Sequence, residues 1–323
     1  MTPEKATPDL SIIIISYNTC DLTLDCLRSV FRQTLEYTFE IILLDNQSTD
    51  GSADAIEAEF GDRITLIRSD RNLGFAGGNN EAARLATGRY LLLLNPDTVV
   101  LDRAIDKLMN YAAATPDARI WGGRTLFPDG QLNMSSCWSR QSLWALLCQA
   151  LGLTALFFHS TLFNPERIGG WNREGEREVD IVSGCFLLLE RAFWEELGGF
   201  DPAFFMYGEE ADLCLRARQK GARPRVTSEA TIVHIGGASE NNPPDKLIRL
   251  TRSKGLLIAR HFPKSTQKPG LFLLSMWPLS RIWLHKLASF LGRRASSEKS
   301  RVWAEVWKRR AEWKIDPARL PQS

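Results

Sequence analysis

The chain has 323 residues, 44% of them hydrophobic, so it can bury a substantial core in one large domain or two modest ones. A formal net charge of +2 argues against a protein committed wholly to nucleic acid. The six cysteines form no CxxC pair, and residues 1–9 lack the apolar core of a signal peptide. These features predict a reduced protein that faces the cytoplasm.

The first hundred residues alternate apolar runs with helical patterns. Four apolar runs have the character of buried strands, at residues 10–16, 40–44, 64–68 and 90–94. Asp21 is expected to cap a helix after the first run, a second helix is expected from Ala53, and a third over residues 81–86. This order predicts an α/β fold with a mostly parallel, Rossmann-like sheet that helices flank.

Polar or glycine-rich residues follow the first three predicted strands. They are Tyr17 and Asn18, residues 45–52, and residues 70–80. The carboxyl ends of parallel strands meet at one edge of a sheet, where the ligands of open α/β folds bind, so we predict a nucleotide site there. The glycines at 74–78 match neither a P-loop nor a convincing GxGxxG motif. We expect a loop there that allows close backbone approach to a ligand or a neighbouring strand.

The fourth run, a tyrosine followed by four leucines, ends at Asn95-Pro96-Asp97-Thr98. Pro96 removes a backbone donor and forces Asn95 out of helical geometry, so the chain turns where the carboxylate of Asp97 arrives. Asp97 is therefore predicted to lie at the ligand-binding edge of the sheet. The alternative is that these four residues are only a turn.

After the fourth run, the sequence continues as a mixture of helices and strands. We predict a helix over residues 101–114, strands over Ile120–Leu126 and residues 179–190, and a helix over Arg191–Leu197. A further strand is predicted over residues 230–239, with His234 in its middle.

Three acids, Glu209, Glu210 and Asp212, open a helix that we expect to end at Gly221. Acids in the first turn of a helix interact favourably with the helix dipole, and this stabilising role alone would account for the three acids. Neighbouring residues of a helix point in different directions, however, so at least one carboxylate is available to face a cleft. A carboxylate held in a cleft is what a general base requires.

A lone histidine such as His234 is more often structural than catalytic. A neutral imidazole is also a good ligand for a divalent metal, and Gly236 and Gly237 would let a phosphate approach closely.

Two stretches suggest a membrane surface. Residues 141–165 contain no Asp, Glu, Lys or Arg, but Gln149, Gly152 and other small or polar residues interrupt the run. An interfacial or acceptor-covering helical segment is therefore expected rather than a spanning helix. Residues 270–278 are also apolar, too short to span, and expected to end at Pro278.

The tail is basic and rich in tryptophan. Residues 281–314 hold ten Lys and Arg against three acids, and five of the ten tryptophans lie in or beside this stretch. Such a composition suits an anionic membrane surface. The alternative is a solvated helical face that packs Trp303 and Trp307 against the domain. Nothing elsewhere in the chain supports nucleic-acid binding.

Taken together, the motifs resemble a known family. They are SIIIISYN, ILLDNQSTDGS, RNLGFAGGNN, LLLLNPDT, GGFDPAFFMYGEEADLCLR and HIGGAS, in this order from Ser11 to Ser239. The chain resembles the inverting family 2 glycosyltransferases of the GT-A fold, and within them the rhamnosyltransferase-like enzymes of cell-surface polysaccharide synthesis. The tail beyond about residue 248 is not covered by this resemblance.

The resemblance implies roles for individual residues. The donor-binding residues would be Tyr17, Asn18, Asp45, Ser48, Asn72, Gly74, Asn79, Asn95 and Asp97. Asp97 would take the second acidic place of the family's DxD motif and help to hold Mg²⁺ or Mn²⁺ on the diphosphate, with His234 helping through the metal or the diphosphate. Asn95 stands where many members have the first acid, as is usual for the NPD subgroup.

The family's base lies in a Glu-Asp pair, which is Glu209-Glu210 here, so Glu210 takes the place of the aspartate. Three consequences remain open. The longer side chain of Glu210 is the base, Asp212 substitutes for it, or activity is weak.

The implied reaction moves a sugar from a nucleotide diphosphate sugar to a glycan or polyprenyl-linked acceptor, with contact to the inner face of the cell membrane. The implied domains are a catalytic domain over residues 1–248 and a helical C-terminal region over residues 249–323. Within the catalytic domain, a nucleotide-sugar half would extend to about residue 126, an acceptor half would begin at 127, and an apolar insertion would lie at 141–165.

Two other functions compete with this one. The first is a catalytically weak or inactive glycan-binding or nucleotide-binding scaffold. The second is a nucleotidyltransferase, although SYNTCD offers no basic glycine-rich loop to hold a triphosphate.

Overall fold

The computed structural model describes residues 7–237, 242–291 and 295–319. The chain divides into two compact units. The first comprises Met1–Trp138, Asn172–Phe205 and Glu209–Ser239, and the second Ser139–Trp171, Met206–Gly208 and Glu240–Ser323. The apolar segment around residues 141–165 thus groups with the C-terminal helices, while the limits of a catalytic domain at residue 248 stay a prediction.

The strands of the described chain all belong to the first unit. They are β1 (Leu10–Ser16), β2 (Phe39–Asp45), β3 (Thr65–Arg68), β4 (Tyr90–Leu94), β5 (Thr98–Val100), β6 (Ile120–Leu126), β7 (Leu132–Asn133), β8 (Cys137–Trp138), β9 (Glu176–Glu178), β10 (Ile181–Val182), β11 (Phe186–Glu190) and β12 (Arg225–His234).

The main sheet has the order β3-β2-β1-β4-β11-β6-β12-β5, with β7 beside β6 and β9 beside β12. From β3 to β4 all pairs are parallel, and Ser16 lies opposite Asp45, so the carboxyl ends of these strands meet at one edge. β11 then enters antiparallel to both β4 and β6, and β5 is antiparallel to β12. The predicted α/β, Rossmann-like fold with a helical C-terminal region is confirmed.

The helices of the first unit flank this sheet. The helices of the second unit are formed by the apolar segment and by the C-terminal part of the chain. The first set is α1 (Cys20–Gln33), α2 (Ser52–Phe60), α3 (Gly74–Ala83), α4 (Ala104–Ala114), α7 (Arg191–Leu197) and α8 (Glu209–Gln219). The second set is α5 (Leu143–Leu151), α6 (Leu153–Leu156), α9 (Pro243–His261), α10 (Lys264–Phe290), α11 (Ala295–Lys308) and α12 (Arg310–Trp313).

The expected glycine loop at residues 74–78 is wrong, because α3 begins at Gly74 and ends at Ala83. A Cβ on Gly78 would lie 2.9 Å from the Cγ2 of Ile15, so this glycine lets α3 pack directly on β1. Asp21 does not cap α1 either. Thr19 holds the N-cap position, and the carboxylate of Asp50 accepts a hydrogen bond from the backbone N–H of Cys20 instead.

Several later boundaries also differ from the predictions. α4 begins at Ala104 rather than residue 101, because residues 98–100 form the unpredicted strand β5. The expected strand over residues 179–190 is split at Gly184, since β10 pairs with β8 in a separate small sheet while β11 joins the main sheet. His234 ends β12 rather than lying mid-strand. The last two residues of the HIGGAS motif lie outside the described residues.

Pro278 does not end the apolar stretch of the tail, because α10 continues through it to Phe290. Trp277 and Pro278 are buried in the second unit, so packing there offsets the hydrogen bond that the proline cannot make. Trp303 packs edge-on against Trp277 at 4.9 Å between ring centroids, and Trp313 is buried. Part of the tryptophan content thus serves the core of this unit. No helix among the described residues is both long and apolar enough to cross a membrane.

Asp106 is a buried carboxylate that fixes the chain after α1. It accepts hydrogen bonds from the backbone N–H groups of Leu35 and Glu36, at 3.0 and 3.2 Å, and from the Nε of Arg103. A buried carboxylate that accepts hydrogen bonds from two backbone N–H groups stabilises the turn between α1 and β2.

We predict that Asp106→Ala lowers the free energy of unfolding by about 1.5–3 kcal/mol, because it removes a buried, charged acceptor of three hydrogen bonds. Denaturant unfolding followed by circular dichroism measures this loss. Asp25→Ala is the matched control, since the side chain of Asp25 is 60% exposed in its pair with Arg28 on α1. Equal stability of the two variants would show that the hydrogen bonds of Asp106 contribute little.

Candidate functional site

The pairing of β5 with β12 brings Asp97 and His234 together. His234 lies opposite Thr98 in this antiparallel register, and the carbonyl oxygen of Asp97 accepts from the N–H of Ile235 at 3.1 Å. The Nε2 of His234 lies 3.4 Å from the Oδ1 of Asp97, and the N–H of Gly236 donates to Oδ2 at 2.9 Å. Two residues that are far apart in the sequence therefore form one group.

Asn95 joins this group from the end of β4. Its backbone N–H donates to the carbonyl oxygen of Cys185 at 3.1 Å, which aligns the turn, and its Nδ2 lies 3.3 Å from the Nε2 of His234. The Oδ1 of Asn95 is buried and has no hydrogen-bond partner among the described residues. Buried polar atoms are rarely left unpaired, so this oxygen is available to a ligand.

The electrostatics keep the carboxylate of Asp97 ionised. Burial raises its pKa, but hydrogen bonding and attraction to His234 and the N–H of Gly236 outweigh burial and hold the pKa below its usual value. Burial likewise lowers the pKa of His234, while Cys185 and the Asp97 carboxylate outweigh that effect and raise the pKa to about 10.

These side chains suit a divalent cation that is also bound by oxygen atoms of a phosphate group. The described residues contain no cluster of three or more His, Cys, Asp or Glu side chains that could hold a metal ion by themselves. The carboxylate of Asp97 and the unpaired Oδ1 of Asn95 nevertheless offer oxygen donors, and the Nε2 of His234 offers a nitrogen donor once a cation displaces its proton. Mg²⁺ usually takes one or two carboxylates and completes its shell with phosphate oxygens and water. The donor set therefore suits a cation bound together with a diphosphate.

The loops after β1 and β2 are tied together by short hydrogen bonds. The N–H of Asn18 donates to the Oγ of Ser48 at 2.9 Å, and the Oδ1 of Asn18 accepts from the N–H of Thr49 at 2.8 Å. The Oδ2 of Asp45 accepts from the N–H of Ser48 at 3.0 Å, whereas its Oδ1 is buried with no partner in the part of the chain that the structure describes. The neighbouring Tyr17 is half-buried.

Asn46 links the second loop to the start of α3, and the sequence analysis missed it. Its Nδ2 donates to the Oδ1 of Asn72 at 3.0 Å, and its Oδ1 accepts from the N–H of Leu73 at 2.7 Å. Asn72 also accepts from the N–H of Gly74. Asn79 instead bonds within α3, to the carbonyl oxygen of Phe75. Asn46 follows Asp45 directly, which was the one available signal for it.

The acids at the start of α8 have different surroundings. Asp212 is buried, and its Oδ2 accepts from the Nε of Arg216 at 2.7 Å. The other guanidinium nitrogens of Arg216 donate to the carbonyl oxygens of Leu197 and Gly199. Asp212 thus supports an arginine that holds the chain after α7. The i, i+4 spacing of Asp212 and Arg216 was a readable signal for this pair.

Glu210 lies beside Gly184, which separates β10 from β11. A Cβ on Gly184 would be 3.6 Å from the Cβ of Glu210 and 3.1 Å from the ring of Phe75, so α8, α3 and this turn meet closely. The next residue, Cys185, is the one that accepts from Asn95. The structure therefore brings Glu210 near the end of β4, while Glu209 is buried.

The family of this chain follows from a comparison with known families. The model of Glycosyl transferase family 2 matches residues 11–197, which is more than half of the chain and extends from the second residue of β1 to the end of α7. The chain belongs to glycosyl transferase family 2.

Relatives of this family 2 chain include proteins of glycan synthesis. It is 28% identical over 246 residues to the O-antigen biosynthesis protein RfbC of Myxococcus xanthus, a match that covers 73% of this chain and only 18% of that protein. It is 26% identical over 224 residues to the N-acetylglucosaminyl-diphospho-decaprenol L-rhamnosyltransferase of Mycobacterium tuberculosis, covering 65% of this chain and 70% of the relative.

Solved structures share the fold. The mannosyltransferase PcManGT from Pyrobaculum calidifontis, in complex with GDP-Man and Mn²⁺, matches with a TM-score of 0.58 and 16% identity over 97% of this chain and 89% of its own. TarS of S. aureus matches with a TM-score of 0.52 and 14% identity, covering 83% of this chain and 42% of TarS. Both matches support the GT-A fold of this family 2 chain.

We predict that Asp212→Asn lowers the free energy of unfolding by about 1.5–3 kcal/mol, because the variant removes the charged partner of Arg216. Thermal unfolding measures the loss. Glu81→Gln is the matched control, since Glu81 pairs with Arg84 on the exposed face of α3, where such a pair contributes about 0–1 kcal/mol. An unchanged melting temperature together with lost activity would instead reassign Asp212 as the base.

Proposed function

We propose that this chain is an inverting glycosyltransferase that moves a sugar from a nucleotide diphosphate sugar to a lipid-linked or growing glycan acceptor in cell-surface polysaccharide synthesis. The observation that carries the proposal is the convergence of Asn95, Asp97 and His234 at the end of β4. Family 2 membership and the names of the two relatives support the class of reaction.

The nucleotide would bind where the loops after β1, β2 and β3 meet. The unpaired, buried Oδ1 of Asp45 is an acceptor for a base N–H or a ribose hydroxyl, and the hydrogen bonds of Asn18 and Ser48 hold that loop rigid. Tyr17, Asn72, Gly74 and Asn79 would complete the site, according to the resemblance to the family.

Asp97 and His234, with the Oδ1 of Asn95, would hold Mg²⁺ or Mn²⁺ against the diphosphate. A bound cation neutralises the negative charge that develops on the leaving diphosphate. Asp97 is suited to this role because its pKa stays below the usual value despite burial. The solved complex of PcManGT contains Mn²⁺ with GDP-Man, which supports the same use of a cation here.

Glu210 would act as the general base. The acceptor hydroxyl oxygen attacks the anomeric carbon from the face opposite the diphosphate, and its proton passes to the carboxylate of Glu210. The bond from the anomeric carbon to the diphosphate oxygen breaks, and the nucleoside diphosphate leaves with that electron pair. We favour Glu210 because it is only partly buried, whereas Glu209 and Asp212 are buried.

We propose rhamnose as the sugar and a polyprenyl-linked glycan as the acceptor, because the Mycobacterium tuberculosis relative carries both in its name. Such an acceptor would position the enzyme at the cytoplasmic face of the cell membrane. A scaffold that binds nucleotide without transfer is the second candidate, because Glu210 replaces the family's aspartate.

We predict that one nucleoside diphosphate or nucleotide sugar raises the melting temperature by several degrees in the presence of Mn²⁺ or Mg²⁺. Ligand at a hundredfold excess over its Kd stabilises a protein by about 2.7 kcal/mol. Differential scanning fluorimetry with UDP, dTDP, GDP and their sugars measures the shift. Asp97→Ala should abolish the metal-dependent part.

Asp117→Ala is the control for that experiment, because Asp117 is a half-exposed carboxylate paired with Arg223. It should keep the full shift. If no nucleotide shifts the wild-type protein, the donor site and the transferase proposal both fail.

We predict that Glu210→Gln lowers kcat by about 10²–10⁴-fold while leaving the nucleotide-dependent thermal shift intact, because the amide cannot accept the proton. Release of nucleoside diphosphate in the presence of acceptor measures the rate. Glu210→Asp, which restores the family's residue, should keep measurable activity. If all three proteins bind nucleotide as tightly as the wild type should but none of them turns over substrate, the result would favour the scaffold.

A further inference from the structure

The C-terminal half of α10 has a reversed polarity. Trp283, Leu284, Leu287 and Phe290 recur at helical spacing and are exposed, with Phe290 at 88%. The opposite side of the helix carries Arg281, His285 and Ser289 at positions i, i+4 and i+8, and these residues are less exposed than the apolar ones. A helix on the surface of a domain in water normally shows the reverse arrangement.

Packing in the second unit fixes this orientation. The Nη2 of Arg281 donates to the carbonyl oxygen of Gln149 in α5 at 3.4 Å, and burial lowers the pKa of Arg281. Burial also lowers the pKa of His285, together with the nearby charges of Lys299 in α11 and Arg281. The polar side of α10 is therefore turned toward α5 and α11.

The exposed apolar residues of α10 continue onto α5 and α6. A Cβ on Gly152, between these two helices, would lie 3.0 Å from the Cδ1 of Leu284. Leu151 is 59% exposed and Leu156 76%. We define the apolar face as Leu151, Leu156, Trp283, Leu284, Leu287 and Phe290.

Lys286 is the charged residue that borders the apolar face. α10 contains four Lys and Arg residues and no Asp or Glu, and α5 and α6 contain no charged residue. The Nζ of Lys286 lies 5.3 Å from the ring centroid of Trp283, so a cation borders the apolar surface directly. An apolar surface bordered by a lysine, on helices that carry no acid, matches an anionic lipid bilayer, whose headgroups attract lysine while its acyl region accepts the apolar side chains.

A second copy of the chain is a poorer match. A symmetric contact through this face would bring Lys286 of both copies to the contact with no acid of α10 to pair with them, and like charges at a contact oppose association. The charge pattern therefore favours lipid over self-association.

We propose that the apolar face inserts into the boundary between headgroups and acyl chains of an anionic membrane, with the C-terminal half of α10 lying in the plane of the membrane. This assignment rests on the part of the proposed function that positions the acceptor at a membrane, and it names the surface and the lipid charge.

Vesicle sedimentation tests the assignment without donor or acceptor. The wild-type chain should sediment with vesicles made of equal parts phosphatidylcholine and phosphatidylglycerol, and less with phosphatidylcholine alone. Leu287→Glu combined with Phe290→Glu should weaken binding to the anionic vesicles at least about tenfold, because two charges would enter the apolar boundary. Leu35→Glu combined with Leu85→Glu is the matched control, since both leucines are exposed in the first unit.

Two further measurements keep the outcomes distinct. The nucleotide-dependent thermal shift should be the same in the double variant as in the wild type, so that lost vesicle binding reports on the face rather than on folding. Failure of the nucleotide shift in both proteins would concern the donor site alone. Vesicle binding that survives the double substitution would overturn the assignment. A wild-type dimer that the substitutions convert to a monomer, without vesicle binding by either, would overturn it in favour of a second copy.

Discussion

The antiparallel pairing of β5 with β12 is the constraint on which the candidate site depends. It sets Thr98 opposite His234, and thereby puts the carboxylate of Asp97 beside the imidazole and the N–H of Gly236. Because side chains alternate along a strand, a slip of one residue would turn His234 to the other side of the sheet. The position of the imidazole is thus as much a property of strand register as of local sequence.

That register depends in turn on an irregularity in β12. The pairing of β12 with β6 shifts between Thr227 and Thr231, and the carbonyl oxygen of Ala230, within this bulge, lies 2.1 Å from where a Cβ on Gly123 would be. Glycine at 123 is therefore what lets the bulged backbone approach β6 so closely. The bulge adjusts the later part of β12, including His234, relative to the strands that precede it.

The sequence alone predicted the strands best where the apolar runs are continuous. β1 and β4 were expected at their observed bounds and β2 and β3 within one residue of theirs, and the polar ends after β1, β2 and β3 were expected to share one edge. Predictions failed where tertiary packing decides the structure. Glycines that suggest a loop begin α3 because they allow close contact with β1, and Pro278 lies inside α10 because its surroundings are buried.

In the candidate site too, local motifs were recognisable from the sequence, whereas contacts between remote segments were not. Asp97, His234 and Glu210 were recognisable from their motifs, but Asn46 and Cys185 were not, because their roles arise from hydrogen bonds to segments remote in the chain. Roles also differ among residues that looked alike. Asp212 and Glu210 are both acids of one helical turn, yet the structure engages Asp212 with Arg216 and sets Glu210 beside Gly184.

The apolar segment at residues 141–165 was ambiguous because hydropathy does not distinguish a core from an interface. In the structure the segment contributes side chains to a buried core and also presents apolar side chains at the surface. Leu146 joins Ile258, Leu274 and Trp277 in a buried cluster, whereas Leu151 and Leu156 remain exposed. The buried side chains anchor α5 within the second unit, and that anchoring lets the exposed ones stay in place without a protein partner in the described chain. Because α10 shows the same division along one helix, with polar residues packed inward and apolar residues outward, the exposed apolar surface is a feature that packing maintains.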